Sequence, residues 1–224
     1  MKTIRKHPRP GIKLALIALV VLVMVGLGFL ELNRRVEGQW HRPGEWWGAK
    51  ATTYHYADEV KEWSDRYDLS FAYLMALIQL ESGGRKPAGS RFEPHVYKRL
   101  QDVKSGRKQQ YEQVTTEDLQ DASDEAIRNL STSWGPFQLM GYKCIQLDVQ
   151  IRDIRGKDAI RAGVEWIDQT YGHEIRKGNF RNAFHLHNTG KHLPEQGPPL
   201  TYHPDYIEKG MRYMNAYLID EETP

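Results

Sequence analysis

The stretch "FAYLMALIQLES" (71–82) is apolar nearly all round when wound as a helix. Such a helix folds only if other elements cover every side of it, so the chain must build around this segment. Ser70 or Asp68 supplies a cap ahead of it, and Gly83 and Gly84 end it as a left-handed C-terminal residue does. One ionisable group, Glu81, lies in its closing turn. A helix C-terminus carries partial negative charge, and an apolar surround disfavours an anion. Both effects raise the pKa of Glu81 and favour keeping its proton near neutral pH. A protonated carboxyl beside a cleft suits protonation of a leaving oxygen. The same spacing also fits an exposed helix-end Glu beside a glycine cap.

Helical spacing recurs through the rest of the chain. Tyr56, Val60, Trp63 and Tyr67 predict a helix from Tyr54. Ile160, Val164, Ile167 and Tyr171 predict another with these four inward, "NFRNAFHLHNTG" a short one ending at Gly190, and "PDYIEKGMRYMNAYLI" the last. Residues 85–132 form a polar insertion. In it, Pro94 starts a short helix through Leu100, "DVKSGRKQQ" is an exposed loop, and "TTEDLQDASDEAIRNL" is a helix with acids in its first turn. "SWGPFQLMGYKCIQL" reads as a turn entering a short buried helix. No alternating strand run stands out, although a small hairpin within the insertion stays open. The expected fold is mainly α, with a helical domain over residues 54–224.

The first thirty residues differ. Lys2, Arg5, Lys6, Arg9 and Lys13 precede Leu14–Leu30, a run of 17 apolar or glycine residues. As a helix this run spans roughly 25 Å, the short end for a bilayer core, and flanking charged residues lengthen it by snorkelling. It exceeds the usual h-region of a signal peptide, and no clear A-x-A site follows, although Gly26-x-Gly28 keeps a cleaved signal peptide as the alternative. The expectation is a basic cytoplasmic tail (1–13), an uncleaved transmembrane anchor (14–30), a linker (31–53) and an exported domain. Removing the five leading basic residues from 31 Lys and Arg leaves 26 against 29 acids, about −3, which gives no whole-domain footprint for nucleic acid. Trp40, Trp46 and Trp47 in the linker suit either a membrane interface or packing on the domain. Cys144 is the only cysteine and reads as a small buried residue.

Four segments occur in order: "ESGG" (81–84), "GPFQLM" (135–140), "HNTG" (187–190) and "DYIEKGMRY" (205–213). Together they resemble the motifs of the lytic transglycosylases within the goose-type lysozyme superfamily. Ala162-Gly163 fits the helix between the second and third motifs, and "RFEPHVY" with "SWGPFQLMGY" looks closer still to an N-acetylmuramidase branch. The resemblance covers about residues 54–217. It implies a lysozyme-like fold and a bacterial inner-membrane protein whose domain lies in the periplasm and cuts the β-1,4 MurNAc–GlcNAc bond of peptidoglycan. Glu81 is the implied general acid and base, with Tyr206 hydrogen-bonding and orienting it. Ser82 and Gln138 are implied to bind substrate near the cleaved bond, Phe137 and Met140 to wall the cleft, and Asn188 to contact polar groups of sugar or peptide. His187 stands where the family has tyrosine. No cofactor is implied.

The number of carboxylates sets the reaction class. Ordinary glycosidases use two, about 5–9.5 Å apart. The resemblance implies one: the sugar's own 6-hydroxyl attacks and leaves a 1,6-anhydro end. Glu93 is the candidate second carboxylate for a hydrolytic muramidase, or a structural acceptor for Arg91 or His95. On the residues alone, Phe137, Leu139 and Met140 fit the core better than a contact surface, and Tyr206 fits a packing role. His185, His187, His192 and His203 invite a metal hypothesis, but "HLH" has strand-type spacing in a helical segment, so no metal site is expected. A chitinase-like enzyme and a membrane-tethered, non-catalytic peptidoglycan-binding module are the competing readings. Local wall opening for a cell-envelope machine is compatible with an anchor, and nothing in the sequence selects one.

Overall fold

The structure, a computed structural model, describes residues 43–221. The chain divides into two compact units, residues 1–46 and 47–224, and of the first only the opening turn of a helix is described. The expected anchor at 14–30 lies outside the described residues. Among the described residues no helix is long and apolar enough to cross a membrane.

The described chain is mainly α. Helix α1 (Pro43–Tyr67) is followed by α2 (Phe71–Ser82), and Ser70 caps α2 by accepting from the Tyr73 N–H. Ala72 through Ile78 of α2 are fully buried, as an all-apolar helix requires. Its larger side chains each contribute about 1.5–3 kcal/mol by burial. Tyr73 packs on Phe180 and Phe184, with ring centroids 6.1 and 4.6 Å away. The final helix packs more extensively on α2 than any other element does, and its Tyr217 hydroxyl donates to Gln79 Oε1 at 2.8 Å. At the C-terminus Gly83 adopts φ +63°, and its N–H returns to the Gln79 carbonyl. Gly84 lies so close to α1 that a Cβ there would sit 2.4 Å from the Thr52 nitrogen.

The insertion holds β1 (Arg91–Phe92), α3 (Pro94–Lys104), the hairpin β2 (Gln110–Tyr111) and β3 (Val114–Thr115), then α4 (Thr116–Leu119) and α5 (Asp124–Leu130). Strands β4 (Thr132–Trp134) and β5 (Leu139–Met140) follow, and β1, β4 and β5 make an antiparallel sheet in that order. Short helices α6 (Lys143–Gln146) and α7 (Ile151–Arg155) lead to α8 (Ala159–Arg176), α9 (Phe180–Thr189) and α10 (Tyr206–Glu221).

Three expectations change. The helix expected from Tyr54 begins at Pro43, so residues 43–53 are not linker. Proline is preorganised for a first helical position, and buried Ala49 and Thr52 outweigh the two glycines. In "SWGPFQLMGYKCIQL" the expected turn is a β-hairpin, with Gly135 (φ +74°) and Gln138 (φ +50°) closing it, and the expected short helix follows at Lys143–Gln146. The hairpin's strands are too short for alternation to register. "TTEDLQDASDEAIRNL" is two helices, because Thr115 and Ser123 each cap one.

Helix α8 departs from helical geometry at Tyr171 (φ −143°, ψ 16°). Just before it the Thr170 hydroxyl donates to the Trp166 carbonyl at 2.6 Å, a back-bond that bends helices. Phe137 packs directly on Gly163 of α8, where a Cβ would meet the ring at 2.2 Å. Alanine ordinarily gains about 1 kcal/mol over glycine in a helix. Here overpacking opposes it by about 1–3 kcal/mol. Gly163→Ala is therefore expected to lower the urea midpoint; a raised midpoint would mean that Phe137 moves aside freely.

Candidate active site

Helix α2 delivers Glu81 to a cavity of about 450 Å³ that is also lined by Arg91, Asn188, Tyr206 and Lys209. The Glu81 side chain is 17% exposed. Burial pushes its pKa up to about 7, while a hydrogen bond from Tyr206 pulls the other way. The Tyr206 hydroxyl, from the first residue of α10, donates to Glu81 Oε1. Burial and the neighbouring carboxyl hold the Tyr206 proton well above its usual range.

His187 of α9 stands behind the carboxyl, with Nε2 3.9 Å from Glu81 Oε1. This is not an ion pair near neutral pH, because burial lowers the His187 pKa to about 4. The neutral ring has a fixed tautomer. Nε2–H donates to the Phe137 carbonyl at 3.1 Å, so Nδ1 accepts from the Tyr171 hydroxyl at 2.7 Å. Tyr171 interacts in turn with the fully buried Tyr73 hydroxyl, at a geometry short of a formed hydrogen bond. Asn188 lines the same cavity as Tyr206, and its Oδ1 accepts from the Tyr202 N–H at 3.4 Å.

A second cavity of about 630 Å³ adjoins the first. Arg91, Asn188 and Tyr202 line both. Met140, Gln138 and Glu93 wall the second. Both amide hydrogens of Gln138 are held by the Gly89 and Gly135 carbonyls, at 2.8 and 2.9 Å, and its oxygen accepts from Ser133. Glu93 contacts Arg91 Nε at 3.0 Å and His95 Nδ1 at 3.5 Å.

The fold thus gathers Glu81, Tyr206, His187 and Asn188 around one carboxyl, with Met140, Gln138 and Glu93 along the adjoining wall. Ser82 and Phe137 lie elsewhere. Ser82 is buried and donates to the Ile78 carbonyl at 2.9 Å. Phe137 is 1% exposed and reaches the site only through its carbonyl. Sequence reasoning missed Tyr73, Tyr171, Tyr202, Lys209 and Asp205, which shares the Glu81 cavity. The first two carried a readable signal: a phenol on a fully buried face needs a polar partner. Among the described residues no group of three or more His, Cys, Asp or Glu is gathered to hold a metal. His185 contacts the Lys191 carbonyl, and His192 contacts Asn182. No family model, curated protein or solved structure matches the chain.

Folded Glu81 binds its proton more tightly than unfolded Glu81 does. The resulting stability is fully present below about pH 4.5 and is lost as pH rises through about 7, at most about 3 kcal/mol. Glutamine cannot ionise. Between pH 5 and 8 the stability of Glu81→Gln should therefore gain about 1–3 kcal/mol relative to the parent by urea denaturation. A constant difference would place Glu81 in water. In Tyr206→Phe the carboxylate loses a donor that favours its charged form, so the Glu81 pKa should rise further, as read by carbon NMR of the labelled carboxyl. An unmoved pKa would remove Tyr206 from this role.

Proposed function

We propose that the protein cleaves the β-1,4 bond between MurNAc and GlcNAc in peptidoglycan, with Glu81 as its single acid–base group. The observation that carries this reading is a carboxyl with a pKa raised to about 7, held by a tyrosine at the wall of an open groove. At neutral pH about half of such groups hold the proton that a departing glycosidic oxygen needs. Glu81 gives that proton to the bridging oxygen as the C1–O bond breaks. The resulting carboxylate keeps its Tyr206 hydrogen bond. It then takes the proton of the 6-hydroxyl of the same MurNAc as O6 bonds to C1. A 1,6-anhydro end leaves, and Glu81 is protonated again.

The same reading takes residues 14–30 as a membrane anchor, with the enzyme on the exported side. A hydrolytic muramidase needs a second carboxylate to act on water or on the sugar. Glu93 faces the larger cavity and is paired with Arg91, while Asp205 lines the Glu81 cavity.

Digestion of purified sacculi with mass analysis of the fragments tests the proposal. Glu81→Gln should lose ~10²–10⁴-fold or more in rate. Glu93→Gln and Asp205→Asn should each still release 1,6-anhydro products. Reducing MurNAc ends, with activity lost in either of these variants, would make the enzyme a two-carboxylate hydrolase. Digestion by Glu81→Gln at the parental rate would end the assignment.

A further inference from the structure

The segment from Lys191 to Asp205 contains Pro194, Pro198, Pro199 and Pro204. Prolines fix φ and remove donors, so this loop can make few backbone hydrogen bonds of its own. Side chains of α9 take several of the donors that remain. Asn182 Oδ1 accepts from the Leu193 N–H at 2.8 Å, His185 Nε2 from the Leu200 N–H at 3.0 Å, and Asn188 Oδ1 from the Tyr202 N–H at 3.4 Å. These three residues are three apart in sequence, hence stacked along one side of the helix. His185 is fully buried, and with Nε2 accepting, its Nδ1–H donates to the Lys191 carbonyl at 2.7 Å. The histidine pair left over from the motifs is therefore split: His187 serves the carboxyl and His185 anchors the loop.

The loop so anchored leaves one large aromatic side chain in solvent beside the groove. Tyr202 is 80% exposed, with its ring edge-on to His203 at 4.9 Å. It lines both cavities, so a linear ligand running from one to the other passes it. Leu200, on the same loop and 59% exposed, lines neither cavity. An aromatic ring on an anchored backbone offers a broad apolar face with a polar tip, which matches the C–H face of a pyranose.

We infer that Tyr202 is a stacking platform for a sugar ring of the glycan strand, at the junction of the two cavities. This rests on the glycan reading of the site. Asn188, whose Oδ1 accepts from the Tyr202 N–H, lines the smaller cavity together with Glu81 and Tyr206.

The test is calorimetric titration of the full-length chain in detergent, carrying Glu81→Gln so that ligand is not consumed. Two probes are used: a β-1,4-linked GlcNAc tetrasaccharide, and glycan strands that retain their peptides. Adding Tyr202→Ala should weaken both about five- to tenfold, with Tyr202→Phe retaining most of the affinity and Leu200→Ala causing no change. If Glu81→Gln binds both probes and Tyr202→Ala binds them equally well, the platform is wrong and the glycan reading stands. Weakening confined to the peptide-bearing strands would also overturn it, because the ring would then engage peptide. If Glu81→Gln with Tyr202 intact binds neither probe, the glycan reading falls and takes the platform with it.

Discussion

A carboxyl at the end of a helix with no solvated face is the constraint on which the site depends. From Ala72 to Ile78 nothing on α2 reaches water, so the neighbouring elements are committed to covering it. Glu81 emerges where that cover stops. Its carboxyl meets three influences of unequal size. Burial is the largest and raises the pKa, the Tyr206 hydrogen bond partly offsets it, and the helix terminus adds a smaller push in the direction of burial. The outcome near 7 requires that the first exceed the second. A deeper carboxyl would hold its proton more tightly, and a wetter one would release it nearer the ordinary carboxylate range.

His187 bears on the same balance by being neutral. A charged imidazole 3.9 Å from the carboxyl would stabilise the anion and lower the Glu81 pKa. Burial prevents that charge, as does Lys143, which further disfavours a second cation nearby. The Tyr171 hydroxyl and the Phe137 carbonyl then occupy both ring nitrogens. The ring supports the floor of the site without adding charge to it, and Phe137 in turn is seated on Gly163. This explains in packing terms why a glycine in the middle of α8 and a phenylalanine in the hairpin bear on a carboxyl that neither side chain contacts.

Much of this was legible in the sequence, and the remainder has a geometrical reason. The all-apolar run identified α2, the glycines its end, and the contrast between Glu81 and its surroundings the direction of its pKa. Tyr206 was paired with Glu81 through the family motifs alone, across 125 residues that no local rule connects. The motif places Ser82 beside Glu81, but it gives only adjacency, whereas a helix turns about 100° per residue. With Glu81 facing the cavity, its neighbour faces the core. Gln138 and Phe137 diverge for a similar reason, since the positive φ at Gln138 redirects the chain between them. Tyr171 was read as an inward residue, which it is; only its hydroxyl and the imidazole beside it make it part of the site.

Under the proposed function the number of acting carboxylates sets the reaction class, but pairing strength does not say which carboxylates act, and magnitudes show why. The Arg91–Glu93 contact joins a guanidinium 69% exposed to a carboxyl 20% exposed, and such pairs are worth about 0–1 kcal/mol. Pairing of that strength would not stop Glu93 from acting as a base. Location separates the candidates better. Glu93 opens onto the larger cavity, whereas Glu81 and Asp205 share the smaller one. Asp205 immediately precedes Tyr206, so a backbone shift at Asp205 would also move the residue that donates to Glu81. A second carboxylate acting on water would need independence from the first. A backbone tied to the Tyr206 hydrogen bond gives Asp205 little of that freedom, and under the proposed function the sugar's own hydroxyl needs no such partner.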